Sequence, residues 1–142
     1  MSSVGPIIAV EAGRALSIPL MTGSASAGFP SPADDYLEGP LDFNDLLIKN
    51  ASATFAVRIA GDSMTGAGMF PGDIAVVDKA AEPHDRCIVL AVVNGDFTIK
   101  RFRRKRDRIV LQAENPAYQD IVITEGMGFK VWGVISKSIR ML

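Results

Sequence analysis

A serine and a lysine are the two residues of this chain whose types and surroundings could support covalent chemistry. Ser63 stands in the segment GDSM, directly after a predicted strand, where a turn would expose its hydroxyl and leave backbone N–H groups free for an oxyanion. Lys100 lies in the predicted strand DFTIKRF, among apolar residues. Desolvation there would lower the pKa of its amine, and a neutral lysine amine can replace histidine as the base that activates a serine.

Each of the two residues also has a plainer interpretation. Ser63 could cap a short helical turn, and Lys100 could be a solvent-facing side chain. Alternation along the strand places Thr98 on the same face as Lys100. Composition and periodicity leave both interpretations open.

The remaining inventory of reactive residues excludes most other catalytic chemistry. Among 142 residues there is one histidine, His84, and one cysteine, Cys87. An internal disulfide is impossible, and a zinc site of the usual kind needs three or four such ligands. We therefore expect no metal and no cofactor, and Cys87 is predicted to be a packed apolar residue.

The elements that must position Ser63 and Lys100 are predicted to be short β-strands. Alternating or β-branched apolar runs occur repeatedly between about residues 54 and 140, and Asn94-Gly95 is a strong hairpin signal. Asp42 is predicted to cap a short helix. Residues 1–40 are rich in Gly, Pro, Ser and Ala, which is typical of an extended or mobile arm. The expected fold is mainly β over residues 41–142, preceded by an arm over residues 1–40.

Charge is distributed unevenly, although the net charge is only −1. The run KRFRRKRDR at residues 100–108 could contact nucleic acid, or it could be a solvated hairpin tip whose charges protect a sheet edge. A short basic run is a weak motif, and the acidic overall pI is unusual for a dedicated DNA-binding domain, so the solvated tip is favoured.

Several ordered motifs together resemble the LexA/UmuD family of self-cleaving Ser–Lys peptidases, and its UmuD-like members in particular. These motifs are GDSM at 61–64, PGD at 71–73, FTIK at 97–100, FPSPADDY at 29–36, LDFNDLLI at 41–48 and NPAY at 115–118. The resemblance covers about residues 27 to 140. It implies the compact C-terminal peptidase domain of that family, with the arm in front.

The resemblance also implies roles for individual residues. Ser63 would be the nucleophile and Lys100 the general base, with the bond between Ala27 and Gly28 as the cleavage site. The supporting residues would be Asp62 and Met64 beside the nucleophile, for the oxyanion, and Thr98 for orienting the lysine.

Partners are likewise implied by the resemblance alone. A UmuD-like protein would be a bacterial cytoplasmic homodimer in the SOS response. It would serve as accessory subunit of a UmuC-like error-prone translesion DNA polymerase. RecA filaments on single-stranded DNA would stimulate its self-cleavage.

Three alternative functions follow from other features. A binding module for DNA or a partner protein would leave Ser63 and Lys100 catalytically silent. Ala25-Ser26-Ala27 fits the small-residue pattern of a secretory signal, although the apolar segment before it is short and Glu11 lies where basic residues belong. A signal-peptidase-like enzyme shares the Ser–Lys pair, but no apolar run here is long enough to cross a membrane.

Overall fold

The computed structural model describes residues 4–10, 13, 17–21 and 37–142. The chain divides into two compact units. One unit contains the first strand together with residues 50–142, and the other contains the next two strands and a short helix. The boundary predicted between residues 40 and 41 remains a prediction, as does the arm.

The larger unit is built on one eight-stranded antiparallel sheet. Its strands in chain order are β1 (Val4–Ala9), β4 (Thr54–Ile59), β5 (Ile74–Asp78), β6 (Ile88–Val93), β7 (Asp96–Lys105), β8 (Arg108–Gln112), β9 (Ile121–Val122) and β10 (Phe129–Ile139). Across the sheet they lie in the order β1-β4-β5-β10-β6-β7-β8-β9. The mainly β fold predicted from the sequence is confirmed.

The Asn94-Gly95 turn between β6 and β7 sets the register that matters for the candidate site. Both turn residues have positive φ, as a two-residue hairpin of this type requires. The register that follows places Val89 opposite Lys100 and Ala91 opposite Thr98. Because directly opposite residues share a face, Lys100 stands among buried apolar side chains.

Buried apolar residues form two clusters, one on each face of the central strands, so that neighbouring residues of a strand belong to different clusters. Leu90 and Ile99 belong to the first cluster, whereas Val89 and Phe102 belong to the second. A strand that is buried on both faces has a continuous run of apolar residues in its sequence, and β6, with the sequence IVLAVV, is an example. A sheet that is buried on both sides can thus hold a lysine of its central strands away from water.

The smaller unit pairs β2 (Ser17–Met21) with β3 (Leu37–Asp42), and α1 (Phe43–Leu47) follows directly. The predicted cap is present, since the Asp42 carboxylate accepts a 2.8 Å hydrogen bond from the Asn44 backbone N–H. This is the interaction for which aspartate is favoured at a helix start.

Three of these strands are not predicted by the sequence patterns. β1 pairs with β4 at the edge of the large sheet, with an irregularity between Val4 and Ile7. β2 and β3 pair with each other in the smaller unit. Glycine or proline interrupts the alternation of all three strands, which hides their strand character.

Candidate active site

The turn that carries Ser63 follows β4 and is anchored by the residue after the serine. The Met64 side chain is buried in the first cluster, and its carbonyl oxygen accepts hydrogen bonds from the backbone N–H groups of Ala67 and Met69. A short 3-10 helix, Thr65–Ala67, therefore starts immediately behind the serine. Ser63 itself is only 4% exposed.

Lys100 reaches the same place from the middle of β7. Its side chain is 6% exposed, an unusual degree of burial for a lysine. Burial in these apolar surroundings lowers the pKa of Lys100, because removing the ammonium from water disfavours the charged form. The shift favours the neutral amine that a general base requires.

Three oxygen atoms surround the Lys100 amine. Nζ lies 3.0 Å from Ser63 Oγ, and it donates to Thr98 Oγ1 at 2.7 Å and to the Ile99 carbonyl oxygen at 3.2 Å. A neutral amine has two hydrogens and one lone pair. With both hydrogens directed at Thr98 and Ile99, the lone pair is left to accept the Ser63 hydroxyl proton. The arrangement can thus activate a serine without a histidine.

A segment after β8 holds the turn that carries Ser63, and we call its residues Glu114, Asn115 and Tyr118 the clamp. Glu114 N–H donates to the Ser63 carbonyl oxygen at 2.9 Å, and Gly66 N–H donates to the Glu114 carbonyl oxygen at 2.6 Å. An added Cβ at Gly66 would overlap that same carbonyl oxygen, so only glycine fits there without movement of the backbone.

Two side chains of the clamp hold Asp62. Asn115 Nδ2 donates to the Asp62 carbonyl oxygen at 2.9 Å, and the Tyr118 hydroxyl donates to the Asp62 carboxylate. That hydrogen bond and the nearby negative charge raise the pKa of Tyr118. The clamp therefore contacts the turn at Asp62, Ser63 and Gly66.

The pair of candidate residues opens onto a cleft of about 330 Å³. Its walls are mainly apolar, with a few polar groups near Ser63, a composition typical of binding sites. The lining residues are Gly61, Asp62, Ser63, Val93, Asp96, Phe97, Thr98, Lys100, Tyr118, Gln119 and Ile121. The cleft therefore gives a ligand access to both Ser63 and Lys100.

The structure brings Ser63, Lys100 and Thr98 together, and it gives the other predicted site residues different surroundings. Asp62 is exposed and bonded to Tyr118. The Met64 side chain lies in the core, so only its backbone could serve an oxyanion. The bond between residues 27 and 28 lies outside the described residues.

The sequence patterns do not predict the clamp. The NPAY segment contributes to the family resemblance, and Asn115-Pro116 is typical of a turn, but neither observation indicates contact with Asp62. The clamp acts on residues about fifty positions earlier, so local patterns carry no signal of it. The sequence offers one local signal of this segment, because asparagine often closes its own turn. The Asn115 side chain does so here by accepting a hydrogen bond from the Ala117 backbone N–H at 2.9 Å.

Neither His84 nor Cys87 lines the cleft beside Ser63. Cys87 is buried in the second cluster, and its Sγ accepts from the His84 backbone N–H at 3.4 Å. Among the described residues, no group of three or more His, Cys, Asp or Glu side chains could hold a metal ion. Nor does that part of the chain contain a helix with the length and apolar character needed to span a membrane.

Comparison with known proteins finds a matching family model and several proteins of similar sequence. The chain matches the family model for Peptidase S24-like proteins over residues 19–136. Protein SamA of Salmonella typhimurium is 46% identical over 122 residues, covering 86% of this chain and 84% of SamA. Protein ImpA of Escherichia coli is 41% identical over 104 residues, 72% of either chain.

The match extends to repressors. LexA repressor 1 of Geobacter sulfurreducens is 39% identical over 127 residues, which is 89% of this chain but 62% of the repressor. The relatives thus include chains of similar span and chains that are considerably longer. This protein belongs to the Peptidase S24-like family.

Proposed function

We propose that the protein is a self-cleaving serine endopeptidase in which Ser63 is the nucleophile, Lys100 the general base and Ala27–Gly28 the scissile bond. The observation that carries the proposal is the 3.0 Å approach of Lys100 Nζ to Ser63 Oγ at a buried site with a lowered lysine pKa. Membership of a peptidase family supports the same reaction class. The cleft beside Ser63 supplies room for the peptide.

The chemical steps follow from the positions of these groups. Neutral Lys100 takes the Ser63 hydroxyl proton as Oγ attacks the Ala27 carbonyl carbon. Backbone N–H groups at Ser63 and its neighbours Asp62 and Met64 would hold the oxyanion. When the C–N bond breaks, the Lys100 ammonium returns the proton to the amine of residue 28. Water, deprotonated by Lys100, then hydrolyses the acyl-enzyme and frees residues 1–27.

Small residues at the cleavage site are consistent with this mechanism. A bulky side chain at position 27 would keep the carbonyl carbon away from Oγ, and loss of about 1 Å in alignment can reduce a rate by about 100-fold. Alanine and glycine impose the least steric demand.

The test is the pH dependence of self-cleavage by the purified full chain. Below the Lys100 pKa only the small neutral fraction of the amine is active. The first-order rate should therefore rise about tenfold per pH unit and then level off. Mass spectrometry should identify fragments 1–27 and 28–142. Lys100→Arg, whose guanidinium keeps its charge at every accessible pH, should be inactive across the range.

Controls separate the proposed pair from contamination and from general damage. Ser63→Ala and Lys100→Ala should abolish cleavage, whereas Ser138→Ala and Lys130→Ala, at exposed positions of β10, should not. Cleavage that persists in Ser63→Ala would assign the activity to another protease. An intact wild-type chain at every pH would overturn the peptidase proposal.

We further propose, on the strength of the UmuD resemblance and the similarity to SamA and ImpA, a role in the SOS response. The cleaved homodimer would be the accessory subunit of a UmuC-like Y-family DNA polymerase, acting in the bacterial cytoplasm. RecA–single-stranded DNA filaments should accelerate cleavage at neutral pH. Failure of the filaments to do so, with alkaline cleavage intact, would remove RecA from the proposal but leave the chemistry standing.

A further inference from the structure

The β7–β8 hairpin carries positive charge well beyond what its acidic neighbours balance. Arg101 is paired with Glu114 at 2.8 Å, and Arg103 with Asp85 at 3.3 Å. The Arg104 backbone N–H also binds Asp85, and this bond is the main cause that holds the pKa of that carboxyl below its usual value. These contacts neutralise the inner part of the hairpin.

The outer part of the hairpin is different. We call Arg104, Lys105, Arg106 and Arg108 the basic tip; all four are exposed. Among the residues that the structure describes, no carboxylate lies within 4.0 Å of a charged nitrogen of any of the four. Asp107 is the one acid between them in the sequence.

Two cations of the basic tip oppose each other directly. Lys105 pairs with Arg108 across the strands, so their side chains share a face. Like charges in this position destabilise a sheet, and the cost is relieved when a polyanion lies over both. Arg104 is on the opposite face from Lys105, and its guanidinium lies 5.5 Å from the Phe102 ring centroid.

A shallow cavity of about 390 Å³ adjoins this pair. Val110 and Val122 provide its apolar surface, and basic-tip residues provide its positive side. Among the residues that the structure describes, Asp120 is the single acidic residue in the lining. No aromatic ring from the described part of the chain lines the cavity, and aromatic rings are the stacking platform with which proteins hold unpaired bases.

We propose that the basic tip binds the phosphodiester backbone of nucleic acid, independently of base sequence. Arg106 lies in the turn, and the other three cations lie in the adjoining strands on both faces of the hairpin, which suits a chain with a charge on every unit. Guanidinium groups match phosphate oxygens in a two-pronged geometry, and three of the four are arginines. The proposal does not depend on self-cleavage. It replaces the interpretation favoured from the sequence alone, in which the hairpin tip is solvated and binds nothing.

The binding is measured by fluorescence anisotropy of a labelled mixed-sequence oligonucleotide, in single-stranded and duplex arms. A Ser63→Ala background keeps the full chain intact. With four phosphates neutralised, the logarithm of the single-strand association constant should fall against log salt with a slope of about −2.8. That slope corresponds to about a 50-fold loss between about 50 and 200 mM salt.

Variants locate the binding on the hairpin. Lys105→Gln with Arg108→Gln should halve the slope to about −1.4. A second pair within the basic tip, R104Q with R106Q, should do the same, so the conclusion does not rest on the folding of one variant. The matched control, K79Q with K130Q, removes equal charge elsewhere and should leave the slope unchanged. Melting curves confirm that each variant is folded.

Several outcomes would overturn the proposal. The first is that neither the single-stranded nor the duplex oligonucleotide binds at low salt. The second is that the control pair reduces the salt slope as much as the basic-tip variants do. The third is an association constant that does not change with salt concentration. Displacement of the oligonucleotide by polyglutamate as effectively as by unlabelled DNA would also overturn it, because the tip would then recognise acidic polypeptide.

Discussion

Replacing Gly66 by alanine tests whether the clamp controls catalysis. The added Cβ would overlap the Glu114 carbonyl oxygen and lie 3.2 Å from its carbonyl carbon. Restoring ordinary van der Waals separation requires a movement of about 1 Å. The hydrogen bond from Gly66 N–H to Glu114, 2.6 Å long, cannot survive that movement unchanged, and the bond from Glu114 N–H to Ser63 is distorted with it.

The magnitude follows from these two bonds. Each backbone hydrogen bond contributes about 0.5–1.5 kcal/mol net, so the free energy of unfolding should fall by about 1–3 kcal/mol. Passed on in full through Glu114 to the turn, a movement of about 1 Å would displace Ser63 Oγ from the Lys100 amine by that amount and slow self-cleavage by up to about 100-fold. The assay is the first-order rate of appearance of residues 28–142 at alkaline pH, with a thermal melt of the same sample.

Gly126→Ala is the matched control. Gly126 has φ +91° and open space around the position of a Cβ, so alanine there costs about 1–2 kcal/mol through backbone strain alone. Its stability should fall by a similar amount with the cleavage rate preserved. A folded Gly66→Ala protein that cleaves at the wild-type rate would refute the role of the clamp, and so would an equal rate loss in both variants.

Three further predictions concern other contacts. Tyr118→Phe, which removes the hydrogen bond to Asp62, should slow self-cleavage about fivefold without moving the midpoint of the pH–rate profile; a shifted midpoint would mean that the tyrosine acts on the lysine pKa instead. Arg140 binds buried Asp73 through two 3.0 Å hydrogen bonds, which lower the pKa of that carboxyl. This lowered pKa stabilises the fold above the ordinary aspartate pKa of about 3.9, and the benefit disappears as pH falls through the native value. Arg140→Ala should therefore reduce the urea midpoint more at pH 7 than in acid; an equal reduction at both would contradict the assignment. Gly133→Ala should lower the melting temperature, because its Cβ would lie 2.6 Å from a side-chain methyl carbon on β5; an unchanged melting curve would show that β10 has room to adjust.

Local sequence signals are sufficient for the central strands. Asn94-Gly95 predicts a tight hairpin because both residues tolerate positive φ, and the register of β6 and β7 follows from it. The sequence patterns do not predict β1 and β2, because Gly5, Pro6 and Pro19 interrupt the alternation of apolar and polar residues that is typical of a strand. What stabilises β1 is its pairing with β4, a partner about fifty residues away that no local window contains.

The candidate site is also predicted only in part by local sequence signals. Alternation correctly places Thr98 beside Lys100 on β7, since that depends only on strand periodicity. The burial of Lys100 depends on Val89 across the hairpin and on the Ser63 turn, so the strand pattern alone leaves the environment of the lysine open. The hydrogen bond from Tyr118 to Asp62 is purely tertiary and leaves no periodic trace.

The position of β1 at the sheet edge changes what self-cleavage would accomplish. A cut between residues 27 and 28 breaks the covalent link to β1 but none of its paired positions on β4. At that moment the strand becomes a separate ligand, bound with an affinity of its own and no longer held at a high effective concentration by its tether. Departure of the N-terminal peptide is then a dissociation equilibrium that dilution favours. Once it has left, Thr54–Ile59 is an unpaired edge at which another extended chain can add as a strand.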